Sequence, residues 1–177
     1  MSENIVIKSL KERRSIRAFK SEQVPDELLD TVLEAGMYAP TGRNFQSPLM
    51  VAIRDKETVK QLSKMNAEIM GSDSDPFYGA PCVIVVFADS SIHTHLEDGS
   101  LVMGNLLNAA YACGLGSCWI HRAREVFETK EGKKLMREWG VDEKYVGIGN
   151  CILGYTQGEM PVVRPRKGGY VIKIDQL

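Results

Sequence analysis

The chain reads as an α/β sandwich built on one central sheet. Three observations point there. Helical and strand-like patterns interleave along the whole length, with no repeat and no internal linker. The stretch CVIVVFA, Cys82 to Ala88, is apolar at every position, as a strand buried on both faces must be. The 177 residues suit a single domain, 1–177, with enough chain for a real core.

Asn4 is placed to cap a first helix running to about Arg14, with Val6, Ile7 and Leu10 on its apolar side. Ser15 to Phe19 reads as extended. Pro25, Asp26 and Glu27 open a second helix, because proline suits the first helical position and acids suit the first turn. Leu28, Leu29, Val32, Leu33 and Gly36 keep helical spacing until Pro40 stops the run. Pro48 to Arg54 is a strand. Glu57 to Ile69 is a helix with Val59, Leu62, Met65 and Ile69 on one side, followed by a polar loop, Gly71 to Pro76. Beyond the apolar strand, Asp98 to Leu115 reads as a long, largely buried helix. Ser117 to Ile120 is a short strand. Ala123 to Trp139 is one amphipathic helix closed by Gly140. Val146 to Tyr155 is a glycine-spaced strand, and Tyr170 to Ile174 a final alternating one.

Charge and motifs narrow the function. The formal net charge is −1, so no global field draws the chain to nucleic acid or to an anionic membrane. No apolar run reaches membrane-spanning length, and MSENIVIKSL lacks the charged start and apolar core of a leader. Cys82, Cys113, Cys118 and Cys151 form no C-x-x-C pair and sit in apolar stretches, so buried free thiols and a cytoplasmic location are expected. There is no G-x-G-x-x-G: Gly147, Gly149 and Gly154 come nearest, and the third glycine is too late. Phosphate-loop and G-x-S-x-G signatures are missing too. His93 and His95 form an H-x-H pair without an evident third ligand, which favours a polar loop over a metal site. No tuned acid–base pair is visible.

Three short segments carry the positive signal. RRSIRAF packs Arg13, Arg14 and Arg17 around Ser15, and arginine grips phosphate with two parallel charge-assisted bonds. APTGRNFQSP, Ala39 to Pro48, supplies small and amide-bearing residues at a chain break. RPRK adds Arg164, Arg166 and Lys167. Read alone, the arginine cluster has a second meaning: a solvated cap on a helix C-terminus.

Taken in order, these segments resemble the nitroreductase family of FMN flavoproteins. FYGAP, NLLNAAYACGLGSCWI and the late GY pair extend the resemblance over nearly the whole chain. It implies a three-layer α/β/α fold with a mostly antiparallel sheet. It also implies a homodimer in which the C-terminal segment, with its final strand, crosses onto the partner. The implied cofactor is FMN, with NADH or NADPH as transient reductant and a nitroaromatic, quinone or similar small molecule as acceptor in a ping-pong cycle. Two alternatives remain: specialised flavin chemistry such as dehalogenation or flavin fragmentation, and a non-catalytic flavin-binding redox protein. The cofactor carries the hard chemistry, so no side chain is expected to be catalytic in its own right.

The resemblance also implies roles. Arg13, with its neighbour Arg14, and Ser15 match phosphate and ribityl contacts. Arg17 matches the cation at the pyrimidine edge of the ring, an electrostatic tuner. Arg164 and Arg166 return to the phosphate. Pro40, Thr41 and Gly42 match a segment reaching the flavin from the second subunit, and Asn44 and Gln46 the N-x-Q after it. Cys118, Trp119 and Ile120 fall where backbone lies beside the ring, and Asn66 is a further candidate contact. Turn formation is the other reading of Asn44 and Gln46, and core packing that of Trp119. The chain departs from the commonest pattern after Gln46, where Ser47, Pro48, Leu49 and Met50 stand in place of Pro and an aromatic. Phe77 and Tyr78 are the aromatic candidates to cover the pocket, or to pack at the sheet edge.

Overall fold

The computed structural model describes residues 4–175; Met1 to Glu3, the start of the segment read for a leader, and Gln176 and Leu177 lie outside it. The elements are α1 Ile5–Glu12, α2 Asp26–Met37, a short 3-10 turn Gly42–Asn44, β1 Pro48–Ile53, α3 Lys56–Met70, β2 Cys82–Asp89, α4 His95–Ala112, β3 Gly116–Ile120, α5 Ala123–Glu128, α6 Lys130–Glu138 and β4 Tyr145–Gly154. The sheet runs β1-β2-β4-β3 with every pair antiparallel.

β2 explains the layering. Val83, Val85 and Phe87 point to one face, where they join Val59, Leu62, Phe127 and Leu135 from α3, α5 and α6. Cys82, Ile84, Val86 and Ala88 point to the other, against Val32, Val102, Met103 and Leu106 from α2 and α4. The period-2 alternation of one apolar strand thus feeds two cores and makes three layers. Each fully buried Val or Ile here contributes about 1.5–3 kcal/mol of transfer free energy.

One expectation needs correcting, and another is not met within the single chain. Ala123 to Trp139 is not one helix. Thr129 leaves helical geometry at φ −70°, ψ 163°, and its hydroxyl accepts from the Gly132 N–H at 3.0 Å, so α5 ends and α6 starts there. Gly132 permits the break, because a Cβ there would lie 2.1 Å from the Val126 carbonyl. Tyr170 to Ile174, in turn, forms no strand within the single chain and is exposed. A strand needs an edge to pair with. The β3 edge is already occupied by Ser15 and the chain after it, and the tail does not pair with β1.

The cap on α1 is as the sequence suggests: Asn4 Oδ1 accepts from the N–H groups of Val6 at 2.9 Å and Ile7 at 3.4 Å. Its apolar side, however, faces outward. Ile5 is 79% exposed, and Val6, Ile7 and Leu10 are at least half exposed.

Candidate functional site

α1 ends at Arg13, whose N–H bonds Ser9 O at 3.0 Å before the backbone turns extended. The extended chain lays itself along β3 and the end of β4. Ser15 bridges Ser117 in parallel, the Ile16 N–H donates to Ser117 O at 3.0 Å, and Phe19 bridges Thr156. Ile16 and Phe19 are buried and anchor the segment. Gly116 allows the close approach, since a Cβ there would sit 2.6 Å from Thr156 Oγ1 and 3.0 Å from Ile16.

This edge carries three buried polar atoms without a protein partner: Arg13 Nη1, Arg14 Nη2 and Ser117 Oγ. Arg14 is partly accounted for, because its Nη1 donates to Lys11 O at 2.7 Å and so caps α1. Among the described residues Arg13 has no such outlet. It lies close enough to Cys151 to oppose the rise of that thiol's pKa, a rise driven mainly by burial and secondarily by Cys82 and Cys118. Each buried donor left unmet costs about 1–3 kcal/mol. Guanidinium nitrogens and a hydroxyl are the donors that an anion with several acceptor oxygens takes up, so the chemistry of this edge suits a phosphate. Arg17 is exposed and makes no hydrogen bond or ion pair with a described residue. Ser117 is a residue that sequence reasoning missed; only the pairing of β3 with the extended segment brings it to Ser15.

The second region is the Thr41–Ser47 loop. Asn44 N–H bonds Thr41 O at 3.1 Å, Phe45 N–H bonds Gly42 O at 3.0 Å, and Gln46 N–H bonds Thr41 Oγ1 at 3.1 Å. Gln46 Nε2 also reaches Asn44 Oδ1 at 3.4 Å. The turn reading of Asn44 and Gln46 is therefore correct for their backbone, while both side chains stay exposed. Pro40 is exposed; Thr41 and Gly42 are half-buried. Arg43, Asn44 and Gln46 all adopt positive φ, at 50°, 58° and 50°. Asp98, in the first turn of α4, holds the loop: it is 2% exposed and bonds the Gly42 N–H at 2.9 Å and the Ser47 hydroxyl at 2.7 Å. Sequence reasoning missed Asp98, reading it only as the start of a helix.

The remaining candidates divide. Asn66 is fully buried; its Nδ2 donates to His121 O at 2.8 Å, tying α3 to the turn after β3, while its Oδ1 has no partner. Cys118 points into the α3-side core, with Ile120 packed against that core. Trp119 packs on the opposite face against Gly149, whose added Cβ would lie 2.2 Å from the indole nitrogen. Core packing thus describes Trp119, although its Nε1 is buried and unpartnered. Phe77 is buried in the core, and Tyr78 is exposed at φ 54°. Arg164 and Arg166 lie on an exposed tail, 157–175, and form no hydrogen bond or ion pair with described residues. The single chain does not bring them to Arg13. A cavity of about 770 Å³ between α3 and the 72–81 loop shares no lining residue with the arginine edge or the Thr41–Ser47 loop. Among the described residues no helix is long and apolar enough to cross a membrane.

The nitroreductase family profile matches residues 10–76 and 68–155. A protein provisionally named NADH dehydrogenase/NAD(P)H nitroreductase from Archaeoglobus fulgidus is 32% identical over 159 residues, 86% of each chain. FMN reductase [NAD(P)H] of Bacillus subtilis is 29% identical over 138 residues, 68% of this chain and 55% of that protein. Among solved structures, a Bacteroides fragilis nitroreductase with bound FMN superposes with a TM-score of 0.90 at 25% identity, covering 97% of this chain and 100% of the other.

Proposed function

The chain belongs to the nitroreductase family, and from that premise we propose that it is a homodimeric FMN-dependent NAD(P)H oxidoreductase, 1–177 forming one FMN-binding domain. It passes electrons from NADH or NADPH to a small nitroaromatic, quinone or related acceptor in a ping-pong cycle. Its four cysteines are free, which suits the cytoplasm.

One observation carries the reading: buried donors of Arg13 and Ser117 stand without acceptors beside Ser15, where a phosphate completes them. FMN brings one such phosphate and supplies the hydride chemistry when bound. Arg13 and Ser15 hold that phosphate, joined by Arg164 and Arg166. Arg17, exposed at the end of the same edge, places positive charge at the pyrimidine side of the ring. β3 lends Cys118 to Ile120 as backbone beside the ring, and Asn66 fixes the turn that follows. Pro40 to Gly42, Asn44 and Gln46 approach from the other subunit.

Two features support the dimer. α1 shows water an apolar face of Ile5, Val6, Ile7 and Leu10, and the tail exposes Val162, Val163, Tyr170, Val171, Ile172 and Ile174. Exposed apolar surface on this scale calls for a partner. β1 has an unpaired outer edge, which Tyr170 to Ile174 of a second copy can extend. A two-fold arrangement is the simplest that satisfies both.

The visible spectrum of the purified protein, with chromatography of the flavin released on denaturation, tests the reading. FMN is expected. FAD as the main species, or a colourless protein that FMN cannot reconstitute, overturns it. Initial rates at varied reductant and acceptor then give parallel double-reciprocal lines; intersecting lines exclude the ping-pong order.

A further inference from the structure

We propose that Asp98 is the positioning residue of the flavin-facing loop. It fixes where one subunit presents Asn44 and Gln46 to the FMN held by the other. This inference rests on the reading of the site given above.

The geometry is that of a staple. Asp98 Oδ1 accepts from the Gly42 N–H at 2.9 Å at one foot of the loop. Oδ2 accepts from the Ser47 hydroxyl at 2.7 Å at the other foot, and from the Thr94 hydroxyl at 3.2 Å. Between the feet, Arg43 to Gln46 are pushed outward and exposed. Three of those four residues are non-glycine at positive φ, a conformation that costs on the order of 1 kcal/mol or more apiece and persists only where the surroundings impose it. The hydrogen bonds inside the loop shape it but do not fasten it to the domain. Ser47 has a second attachment through its carbonyl, which accepts from the Asp89 N–H at 3.0 Å. For Gly42 the acceptor is Asp98.

A carboxylate serving α4 alone would need only the helix N-terminus and Thr94. Asp98 instead spends its two oxygens on both ends of a distant, strained loop. Thr94 reinforces the arrangement, since it fills the space where a Gly42 side chain would go, with Oγ1 2.4 Å from the added Cβ position. The carboxylate is 2% exposed, so water offers little substitute for these partners.

The test uses Asp98→Asn, Asp98→Glu and Ser47→Ala in the full chain. We measure FMN affinity by titrating apo protein, the flavin midpoint potential, and amide exchange of residues 43–46 in the apo state. Asp98→Asn should weaken FMN binding roughly tenfold or more, the scale of one charge-assisted bond. It should also shift the potential and speed amide exchange in the loop. Ser47→Ala moves the same readouts less, and Asp98→Glu recovers part of the loss. Mixed dimers locate the effect. A heterodimer of one Asp98→Asn chain and one Arg13→Ala chain pairs the intact arginine edge of the first with the intact loop of the second. One of its two sites therefore binds FMN with wild-type affinity, which neither homodimer does. Wild-type affinity, potential and exchange in Asp98→Asn overturn the inference, as does a heterodimer without a wild-type site. Should Asp98→Asn not fold, unchanged readouts in a folded Ser47→Ala overturn it equally. A wild-type protein that binds no FMN defeats the proposed function instead, and so the two failures are told apart.

Discussion

The arginine edge and the Thr41–Ser47 loop serve the same proposed cofactor and are built in opposite ways. The edge is held by backbone. Ser15 to Phe19 pair with β3 and the end of β4, and the side chains that matter, Arg13 and Ser15, sit almost next to each other in sequence. Apart from one backbone bond, from the Asp89 N–H to Ser47 O, the loop is held by one side chain, Asp98, 56 residues from Gly42 and 51 from Ser47. Backbone pairing tolerates change in the side chains it displays. A loop held chiefly by one buried carboxylate does not, and it stores backbone strain besides. The comparison says where the protein is robust and where it is brittle.

The largest break separates the two regions outright. If the loop reaches the flavin from a second subunit, ending the chain after Arg166 removes Tyr170 to Ile174 and leaves the edge without the loop. Dimerisation and bound flavin should be lost together. Light scattering beside flavin content measures both. A truncated monomer that retains stoichiometric FMN shows that the edge suffices alone. The interface at stake should be of obligate size, above about 2,000 Å².

A second experiment dissects the edge. Arg13 has an unmet buried nitrogen, whereas Arg14 already caps α1 through Lys11 O. Arg13→Ala should cost about 1.5–3 kcal/mol of FMN affinity. Arg14→Ala should cost less than half of that and show chiefly as a lower melting temperature. Isothermal titration with FMN decides, and equal losses would mean that the guanidiniums act as one undivided patch.

A third sharpens the account of the loop. Gly42→Ala drives a methyl against Thr94 and should destabilise by about 1–3 kcal/mol. Gly104→Ala, in α4 with nothing within 4 Å of the new carbon, should stabilise by about 0.5–1 kcal/mol. Denaturant melts of the two variants should move in opposite directions. A shift of the same sign in both would remove the close packing of Thr94 from the explanation.

The smallest effect concerns the surface turn beside the loop's anchor. Hydrogen bonding to Lys144, then to Ser91, holds the Asp89 carboxyl down at about 2. A depressed carboxyl contributes stability that is present above its unfolded value near 3.8 and is lost as pH falls toward 2. Asp89→Asn should therefore melt below wild type at pH 6 and match it near pH 2. A gap that stays constant across that range would assign the effect to packing.

Much of the fold was legible, for physical reasons that differ by element. β2 declared itself because a strand buried on both faces has no polar position to spare. Asn4 declared the start of α1 because a cap acts on N–H groups two and three residues away. The break at Thr129 was hidden: its neighbours keep an amphipathic pattern, and a threonine hydroxyl that caps a new helix competes locally with continuation of the old one. Arg13 and Ser15 were legible as a candidate anion site since a single residue separates them. Ser117 and Asp98 were not, because nothing in their own neighbourhoods mentions Ser15, Gly42 or Ser47.

By itself, then, the sequence determined what short-range forces decide: periodicities, caps, the two-faced apolar strand, and a compact basic cluster. Only the tertiary structure decided which distant groups meet: Ser117 beside Ser15, Asp98 beneath the loop, Trp119 on Gly149. A buried polar atom or strained turn finds its partner through space, and the chain records the two halves of such a pair independently.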